Sequence, residues 1–223
     1  MTKKRPPSEA STKTRRRDDG PLLEPVELRI IGGALRGRKI SYLGDPRTRP
    51  MKDRVREAVF NLVGPAIKHT HAVDLFAGTG ALGFEALSRG SARATFFEKH
   101  FPTADAVRRT AAELGVADRC AVAGADTLVH VRRLLRDGPD FGRDRPWVVF
   151  CSPPYELFVE RGDALRQLLG ELMDAAPPHS IVVCESDRRF DPATLPEADA
   201  WRVREYPPAV VAVWNKAGPP AAD

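Results

Sequence analysis

The 223-residue sequence has few cysteines and no long apolar run. Its three cysteines, Cys120, Cys151 and Cys184, are widely separated and lack CxxC spacing, which excludes a zinc ribbon and a disulfide scaffold. No apolar stretch approaches the roughly 20 residues that a membrane-spanning helix needs, and the first residues lack the apolar segment of a signal peptide. The five histidines show no metal-ligand spacing. We therefore expect a cytoplasmic protein with no metal ion and no membrane segment.

Acidic residues are scarce in one part of the chain. Residues 28–56 carry nine Lys or Arg against only Asp45 and Asp53, a net charge of +7. Residues 1–27 have a net charge of +2, whereas residues 57–223 have a net charge of −4. A basic segment ahead of a mildly acidic body favours docking to a polyanion. A solvated basic segment without a partner is the alternative reading.

The chain divides into three parts by pattern. Residues 1–26 contain basic clusters and no apolar periodicity, which predicts a disordered basic tail. We predict that residues 27–65 form a small docking unit and that residues 66–217 form the main domain. The docking unit comprises a hairpin, in which Leu28–Gly33 turns into Leu35–Ile40, and a helix over Lys52–Leu62.

Strand-like and helical patterns alternate in the main domain. The predicted strands are Ala72–Phe76, Ala94–Glu98, Cys120–Ala123, Trp147–Cys151 and Ser180–Glu185. The predicted helices are Ala81–Ser88, Pro102–Leu114, Thr127–Arg136 and Asp163–Ala175. This alternation predicts an α/β fold with a mostly parallel sheet and helices on both faces. Two last strands, Trp201–Tyr206 and Ala209–Asn215, leave no room for a helix between them and predict an antiparallel pair at one edge.

A glycine-rich loop follows the first strand of the main domain. Gly78, Gly80 and Gly83 satisfy GxGxxG between a strand and a helix, where glycine lets the backbone approach a ligand closely. This pattern alone is weak and also fits a dinucleotide site. Asp74 at the strand end can face a cationic amino group. Glu98, 20 residues after Gly78, has the position that binds ribose hydroxyls in nucleoside-binding α/β folds.

A second pattern, Ser152-Pro153-Pro154-Tyr155, follows the fourth predicted strand. Two prolines cannot continue a central strand, so the chain must form a rigid turn at the carboxyl edge of the sheet, where ligands bind. The Ser152 hydroxyl and the Pro153 carbonyl can accept hydrogen bonds from an exocyclic amino group, while the Tyr155 ring stacks on the base. A plain strand terminator is the alternative.

The combined motifs resemble a known family. The second pattern is similar to the [DNS]-P-P-[YFW] motif of S-adenosylmethionine-dependent methyltransferases that modify base amino groups. Further strings resemble the bacterial 16S ribosomal RNA guanine-N2 methyltransferases of the RsmD type, over residues 28 to 216. These strings are Arg29–Gly33, Arg36–Lys39, Arg49-Pro50, Asp53–Glu57 and Asp74–Gly90.

The resemblance implies a Rossmann-like methyltransferase with a seven-stranded sheet, which acts on the N2 amino group of one guanine in 16S rRNA. It implies catalytic roles for Ser152, Pro153, Pro154 and Tyr155. S-adenosylmethionine would contact Asp74, Phe76, Ala77, Gly78, Thr79, Gly80, Glu98, Lys99, Ala125 and Asp126. RNA would contact Arg29, Arg36, Arg38, Lys39, Arg47, Arg49, Arg54 and Arg56. The expected partner is 16S rRNA or the small ribosomal subunit, with or without ribosomal proteins, and we expect a monomer.

Three positions depart from the family pattern. Ser152 stands where most relatives have Asp, so the motif lacks a carboxylate, and we predict either a slower enzyme or a second acceptor supplied elsewhere. Gly124-Ala125-Asp126 stands where relatives often read Gly-Asp-Ala, so either Asp126 meets the adenine with a shift of one residue or backbone groups take its place. Met51 stands where relatives have Thr. On the helix that precedes the main domain, Arg54 and Arg56 can alternatively pair with Asp53 and Glu57.

Other functions remain open from the sequence. A DNA adenine-N6 or cytosine-N4 methyltransferase would use the same chemistry, although no segment is long enough for a target-recognition domain. A nucleotide oxidoreductase would use the glycine loop but leaves Asp74 and the Ser-Pro-Pro-Tyr pattern without a role. A non-catalytic rRNA-binding assembly factor on a methyltransferase fold would explain Ser152 and would bind rRNA without transferring a methyl group.

Overall fold

The computed structural model describes residues 28–42, 44, 48, 50–137 and 142–218. Its strands are β1 (Leu28–Arg29), β2 (Lys39–Ile40), β3 (His71–Asp74), β4 (Arg93–Phe97), β5 (Cys120–Ala123), β6 (Trp147–Cys151), β7 (Ile181–Asp187), β8 (Arg202–Tyr206) and β9 (Ala209–Asn215). Its helices are α1 (Asp53–Val63), α2 (Ala81–Ser88), α3 (Phe101–Glu113), α4 (Thr127–Asp137), α5 (Tyr155–Glu160) and α6 (Gly162–Ala175). In these ranges no helix is both long and apolar enough to cross a membrane. The predicted tail over residues 1–26 lies outside them.

The main sheet has seven strands in the order β5-β4-β3-β6-β7-β9-β8. Strands β3 to β7 are parallel to one another, whereas β9 pairs antiparallel with β7 and with β8. Strand order reverses between β3 and β6, which is the kind of switch point where ligands bind in open α/β sheets. The predicted Rossmann-like α/β class and its antiparallel edge pair are confirmed.

Two apolar cores cover the two faces of this sheet. One contains residues of α1, α2 and α3, and the other contains residues of α4, α5 and α6. Neighbouring residues of β3 alternate between them, since Ala72 belongs to the first core and Val73 to the second. The central strands β3 and β6 are buried along their whole length, which explains the continuous apolar sequence of β6, Trp147–Cys151.

The predicted elements differ from the structure mainly at one helix. Most bounds agree within one or two residues, but the sequence reading found no helix between β6 and α6. The chain forms α5 directly after Pro154, because the extended Pro154 starts a helix whose own residues, Tyr155–Glu160, contain no proline. The rigid turn predicted there is therefore short, and Tyr155 begins a helix.

The N-terminal hairpin is shorter than predicted because it bonds to α2. Only two residues of each strand pair, although pairing was expected over Leu28–Gly33 and Leu35–Ile40. The N–H groups of Ile31 and Gly32 instead donate to the Glu85 carboxylate, each at 2.8 Å. Gly33 has a φ of 79°, and a Cβ there would lie 2.0 Å from the Ser88 carbonyl oxygen. This close approach to α2 requires glycine.

Candidate active site

The carboxyl ends of four neighbouring strands form one edge that gathers the polar residues of interest. Asp74 ends β3 and Glu98 follows β4, while Ser152 follows β6. The parallel register of β6 and β7 places Glu185 beside Ser152. Parallel strands end on the same side of a sheet, so four residues far apart in sequence share one edge.

The glycine loop makes a sharp turn from β3 into α2. Gly78 and Gly80 have φ angles of 51° and 76°, a region that residues with a Cβ rarely adopt. Gly80 precedes the first residue of α2, and a Cβ on it would lie 2.7 Å from the Phe84 ring. The loop therefore needs glycine for its conformation at Gly78 and Gly80 and for its packing at Gly80.

Asp74 is a buried carboxylate beneath this loop. It is 2% exposed, and its Oδ2 accepts a hydrogen bond from the Gly83 N–H at 3.2 Å. Burial raises its pKa from 3.8 to about 7, and the nearby charge of Glu98 adds to the rise. The carboxylate orders the start of α2 and lies where a cation would relieve its unfavourable burial.

Glu98 joins the end of β4 to the same loop. Its Oε2 accepts a hydrogen bond from the Gly78 N–H at 2.9 Å, and its Oε1 accepts one from the His100 N–H at 2.8 Å. The side chain is half-buried. Both carboxylate oxygens thus receive backbone donors, which fixes the carboxylate at the rim of the loop.

Asp126 is engaged as the cap of α4. Its Oδ1 accepts a hydrogen bond from the Leu128 N–H at 2.9 Å, and its Oδ2 lies 3.8 Å from the Arg161 guanidinium. Next to it, Phe101 is 66% exposed at the start of α3, and a Cβ on Gly124 would lie 3.0 Å from its ring. Sequence reasoning missed Phe101, although an aromatic residue three positions after Glu98 was visible.

The other predicted cofactor residues lie along this edge. Ala77 and Thr79 are buried, Phe76 and Ala125 are half-buried, and Lys99 is exposed. The Ala77 N–H donates to the Phe97 carbonyl at 2.9 Å, which holds the loop against β4. The structure thus brings the loop residues and the acidic residues together along one edge of the sheet.

The Ser-Pro-Pro-Tyr segment is tied to Glu185. The Ser152 hydroxyl donates to Glu185 Oε2 at 2.5 Å, and the Tyr155 hydroxyl donates to Glu185 Oε1 at 2.6 Å. Pro153 between them is buried, whereas Pro154 is exposed. One carboxylate therefore holds the serine and the tyrosine in fixed positions.

Glu185 is the functional candidate that sequence reasoning missed. It is 6% exposed, and burial raises its pKa, while the hydrogen bonds from Ser152 and Tyr155 oppose the rise. The signal in the sequence that could have identified Glu185 was an acidic residue at the end of the strand predicted over Ser180–Glu185. Its relevance depends on strand order, because only the pairing of β6 with β7 puts it beside Ser152.

Most of the predicted RNA-binding residues lie at the surface. Five of them are exposed: Arg29, Arg36, Arg38, Lys39 and Arg54. Arg38 donates to the Glu113 carbonyl at 2.6 Å, and Arg54 donates to the Pro207 carbonyl at 3.0 Å. Arg47 and Arg49 lie outside the described residues.

Arg56 contradicts the prediction of an RNA contact. Its side chain is fully buried, donates to the Arg29 carbonyl at 2.7 Å and to Asp53 Oδ1 at 3.0 Å, and lies 3.9 Å from Glu85. Arg56 follows Val55 on the face of α1 that packs against the core, so it cannot reach a phosphate. It is a structural residue that joins α1, the hairpin and α2.

Comparison with known proteins gives a family and a fold. The family model described as conserved hypothetical protein 95 matches residues 28–215. YlbH of Bacillus subtilis is 29% identical over 192 residues, which are 86% of this chain and all of that protein. Ribosomal RNA small subunit methyltransferase D of Haemophilus influenzae is 36% identical over 129 residues, which are 58% of this chain and 64% of that protein.

A solved structure with the same architecture is yhhF from Escherichia coli. It superposes with a TM-score of 0.68 at 28% identity, over 87% of this chain and all of that one. The matched family model spans both the hairpin that packs on α2 and the two strand-end motifs. The chain therefore belongs to the conserved hypothetical protein 95 family, and the predicted resemblance to methyltransferases of the RsmD type is confirmed.

Proposed function

We propose that this chain transfers a methyl group from S-adenosylmethionine to the N2 amino group of a guanine in small-subunit 16S rRNA. The observation that carries the proposal is the shared edge, where the glycine loop with Asp74 and Glu98 adjoins Ser152 and Tyr155. The name of the Haemophilus relative supports the class of RNA. The Ser-Pro-Pro-Tyr segment supports an exocyclic amino group as the acceptor of the methyl group.

The residues of the loop fit the cofactor. When bound, S-adenosylmethionine supplies an electrophilic methyl group on a positively charged sulfur. The buried Asp74 carboxyl, whose pKa burial raises to about 7, would bind the cationic amino group, and that positive charge would favour its ionised form. Glu98, held by the N–H groups of Gly78 and His100, would bind the ribose hydroxyls. The exposed ring of Phe101, next to Gly124, would stack on the adenine.

The remaining cofactor contacts follow from their places along the edge. The backbone at Gly78 and Gly80, whose φ angles of 51° and 76° favour glycine, would line the cofactor. Phe76, Ala77, Thr79, Lys99, Ala125 and Asp126 complete the binding surface. Asp126 contributes through the start of α4, which its side chain caps.

The Ser-Pro-Pro-Tyr segment orients the acceptor amine. The lone pair of a guanine amino group is delocalised into the ring, so the enzyme must align the amine and localise that pair. Ser152 Oγ and the Pro153 carbonyl accept the two amino hydrogens, and the ring of Tyr155 stacks on the base after it leaves its helix. The hydrogen bond from Tyr155 to Glu185 holds the ring in place.

A basic surface docks the RNA. The hairpin and the start of α1 carry the exposed residues Arg29, Arg36, Arg38, Lys39 and Arg54, and phosphate contacts from them position the substrate without reading its sequence. We assign residues 27–65 to this docking unit, residues 66–217 to the methyltransferase domain and residues 1–26 to a basic tail. The enzyme acts as a monomer in the cytoplasm, on 16S rRNA alone or on the small ribosomal subunit.

Methyl transfer to defined substrates tests this proposal. The protein is incubated with methyl-labelled S-adenosylmethionine and either 16S rRNA, small ribosomal subunits or duplex DNA. We expect label in the RNA or in the subunits and none in the DNA. Label in DNA adenine or cytosine would contradict the proposal, as would rRNA binding without any transfer.

A further inference from the structure

We propose that Glu185 takes up the proton released by the substrate amine, through the hydroxyl of Ser152. The pair of Ser152 and Glu185 then does the work that a single carboxylate would do at the Ser152 position. This inference rests on the proposed function and adds a positioning residue to it. The chain retains a carboxylate for the reaction, supplied by β7 rather than by the motif after β6.

The contact geometry defines the direction of the relay. The Ser152 hydroxyl hydrogen is directed at Glu185 Oε2, 2.5 Å away, so the lone pairs of Ser152 Oγ are left to accept a hydrogen bond from the amine. The other oxygen, Oε1, accepts the Tyr155 hydroxyl hydrogen at 2.6 Å. Glu185 is therefore oriented by two donors that both belong to the Ser-Pro-Pro-Tyr segment.

The electron and proton balance places one proton on Glu185. The amine lone pair forms the nitrogen–carbon bond while the carbon–sulfur bond breaks, and its electron pair stays on sulfur. Nitrogen then carries the positive charge and loses one hydrogen to Ser152 Oγ, which gives its own hydrogen to Glu185 Oε2. The products are a neutral methylated amine, a neutral thioether and a protonated Glu185, which later releases its proton to water.

The surroundings of Glu185 suit a proton acceptor. The groups that act on its carboxyl are Ser152, Tyr155 and Asp187, and among the described residues no Lys or Arg side chain pairs with it. Asp187 is itself paired with Arg189, at 2.8 Å. The neighbouring thiol of Cys151 is neutral, because its contact with Cys184 and its burial raise its pKa above the ordinary value, with a smaller contribution from Glu185. Without a cation beside it, Glu185 gains from becoming neutral.

A pair of variants in two backgrounds tests the relay. Loss of a proton acceptor typically lowers a rate by about 100-fold or more, so we expect that loss in single-turnover methylation for Glu185→Gln. In a Ser152→Asp background, the new carboxylate accepts the proton directly, and Glu185→Gln then changes the rate by less than about 3-fold. Equal losses in both backgrounds would assign Glu185 a purely structural role and overturn the proposal.

The pH dependence gives a second readout. At saturating S-adenosylmethionine, where the ionisation of Asp74 no longer limits cofactor binding, the wild-type rate should rise with pH as Glu185 ionises, and Glu185→Gln should lose that rise. A matched control is Glu171→Gln on α6, which removes the same charge at a side chain paired with Arg132. The control should keep the wild-type profile, and S-adenosylmethionine binding by calorimetry should be the same in all three proteins. A wild-type profile in Glu185→Gln would contradict the relay.

A measurement on the free protein separates this inference from the proposed function. The Glu185 carboxyl carbon is followed by NMR during a pH titration of the wild type and of Ser152→Ala. Removal of the hydroxyl should raise the Glu185 pKa, because its hydrogen bond favours the charged form. An unchanged pKa would overturn the pairing even if the wild type methylates rRNA. If the wild type methylates nothing, the proposed function fails, and the titration still decides whether the pair exists.

Discussion

Two buried carboxylates, Asp74 and Glu185, dominate the site at the scale of single residues. Both have a raised pKa because burial disfavours their charge, and both accept hydrogen bonds from the segment they support. Asp74 supports the glycine loop, and Glu185 supports the Ser-Pro-Pro-Tyr segment. In the free protein, burial therefore makes the ionised form of each side chain unfavourable, and binding of a cation or a proton removes this cost. The chemistry of the site is thereby linked to the stability of the protein.

Asp74→Asn should stabilise the protein at alkaline pH. The pKa of Asp74 is near 3.8 when unfolded and about 7 when folded, so the folded protein holds the extra proton between these values and its stability falls as pH rises through them. The asparagine does not titrate. The free energy of unfolding of the variant relative to wild type should therefore increase by about 3 kcal/mol from pH 5 to pH 8.

Urea unfolding at both pH values measures this difference. The control is Asp105→Asn, which alters an exposed carboxylate of α3. The asparagine variant of Asp74 should also bind S-adenosylmethionine at least about 10-fold more weakly at pH 8, because a charged partner of the amino group is lost. Parallel stability curves for wild type and Asp74→Asn would show that Asp74 is already ionised at pH 5.

Tyr155 has two separable roles at the same scale. Stacking on a base is worth about 1–3 kcal/mol, so Tyr155→Ala should lower the single-turnover methylation of RNA by about 10-fold or more. Tyr155→Phe keeps the ring and removes only the hydroxyl that donates to Glu185. It should lose less rate than Tyr155→Ala and raise the Glu185 pKa. Equal losses in the two variants would contradict base stacking at Tyr155.

At the scale of elements, Glu85 of α2 organises the N-terminal hairpin. The side chain is fully buried and accepts the N–H groups of Ile31 and Gly32, while Arg89 Nε donates to it at 2.7 Å. The guanidinium of Arg56 lies 3.9 Å away. The hairpin has only two paired residues in each strand, so its position depends largely on bonds to α2, among them those to Glu85 and the one from the Ala34 N–H to the Ser88 carbonyl at 2.8 Å.

Glu85→Ala should therefore destabilise the protein strongly. It removes an anion from beside the buried Arg56, and breaking a buried ion pair on one side costs about 3–5 kcal/mol. Denaturant unfolding measures the loss, and amide exchange at Ile31 and Gly32 should become fast. Glu171→Ala on α6 is the control, with a loss of about 1 kcal/mol or less. A loss that small for Glu85→Ala would contradict its organising role.

At the scale of the whole molecule, the surface charge and the buried charge of the N-terminal segment have different functions. Arg36 is exposed on the hairpin, whereas Arg56 is enclosed between α1, the hairpin and α2. The sequence placed both residues in the basic segment over residues 28–56 and offered pairing with an acidic neighbour only as an alternative for Arg56, which does pair with Asp53. Only one of them can neutralise a phosphate of the RNA.

Alanine variants of these two arginines should separate binding from folding. Arg36→Ala should lower rRNA affinity and reduce the slope of log affinity against log salt by about 0.7–0.9, with unfolding unchanged. Arg56→Ala should lower the free energy of unfolding, while the folded fraction keeps the wild-type salt slope. Salt titrations of RNA binding together with denaturant unfolding measure both. A reduced salt slope for Arg56→Ala would contradict its burial.

Features that depend on a local sequence pattern were predicted correctly, whereas contacts between segments that are distant in sequence were not. Apolar periodicity and glycine spacing predicted the parallel sheet, the loop after β3 and the antiparallel edge pair. The burial of Arg56 and the bond between Ser152 and Glu185 depend on packing between elements, which no local pattern contains. From Ser152 the sequence predicted either a slower enzyme or a second hydrogen-bond acceptor elsewhere. It did not identify that acceptor, a role that we propose for Glu185.

The most direct measurement is nucleoside mapping of small-subunit rRNA from cells that contain the gene, lack it, or carry Ser152→Ala. Mass spectrometry of the rRNA should find one N2-methylguanine in the first strain and none at that position in the second. The Ser152→Ala strain should show it at reduced occupancy, because the relay to Glu185 is broken. The same N2-methylguanine in all three strains at full occupancy would contradict the account.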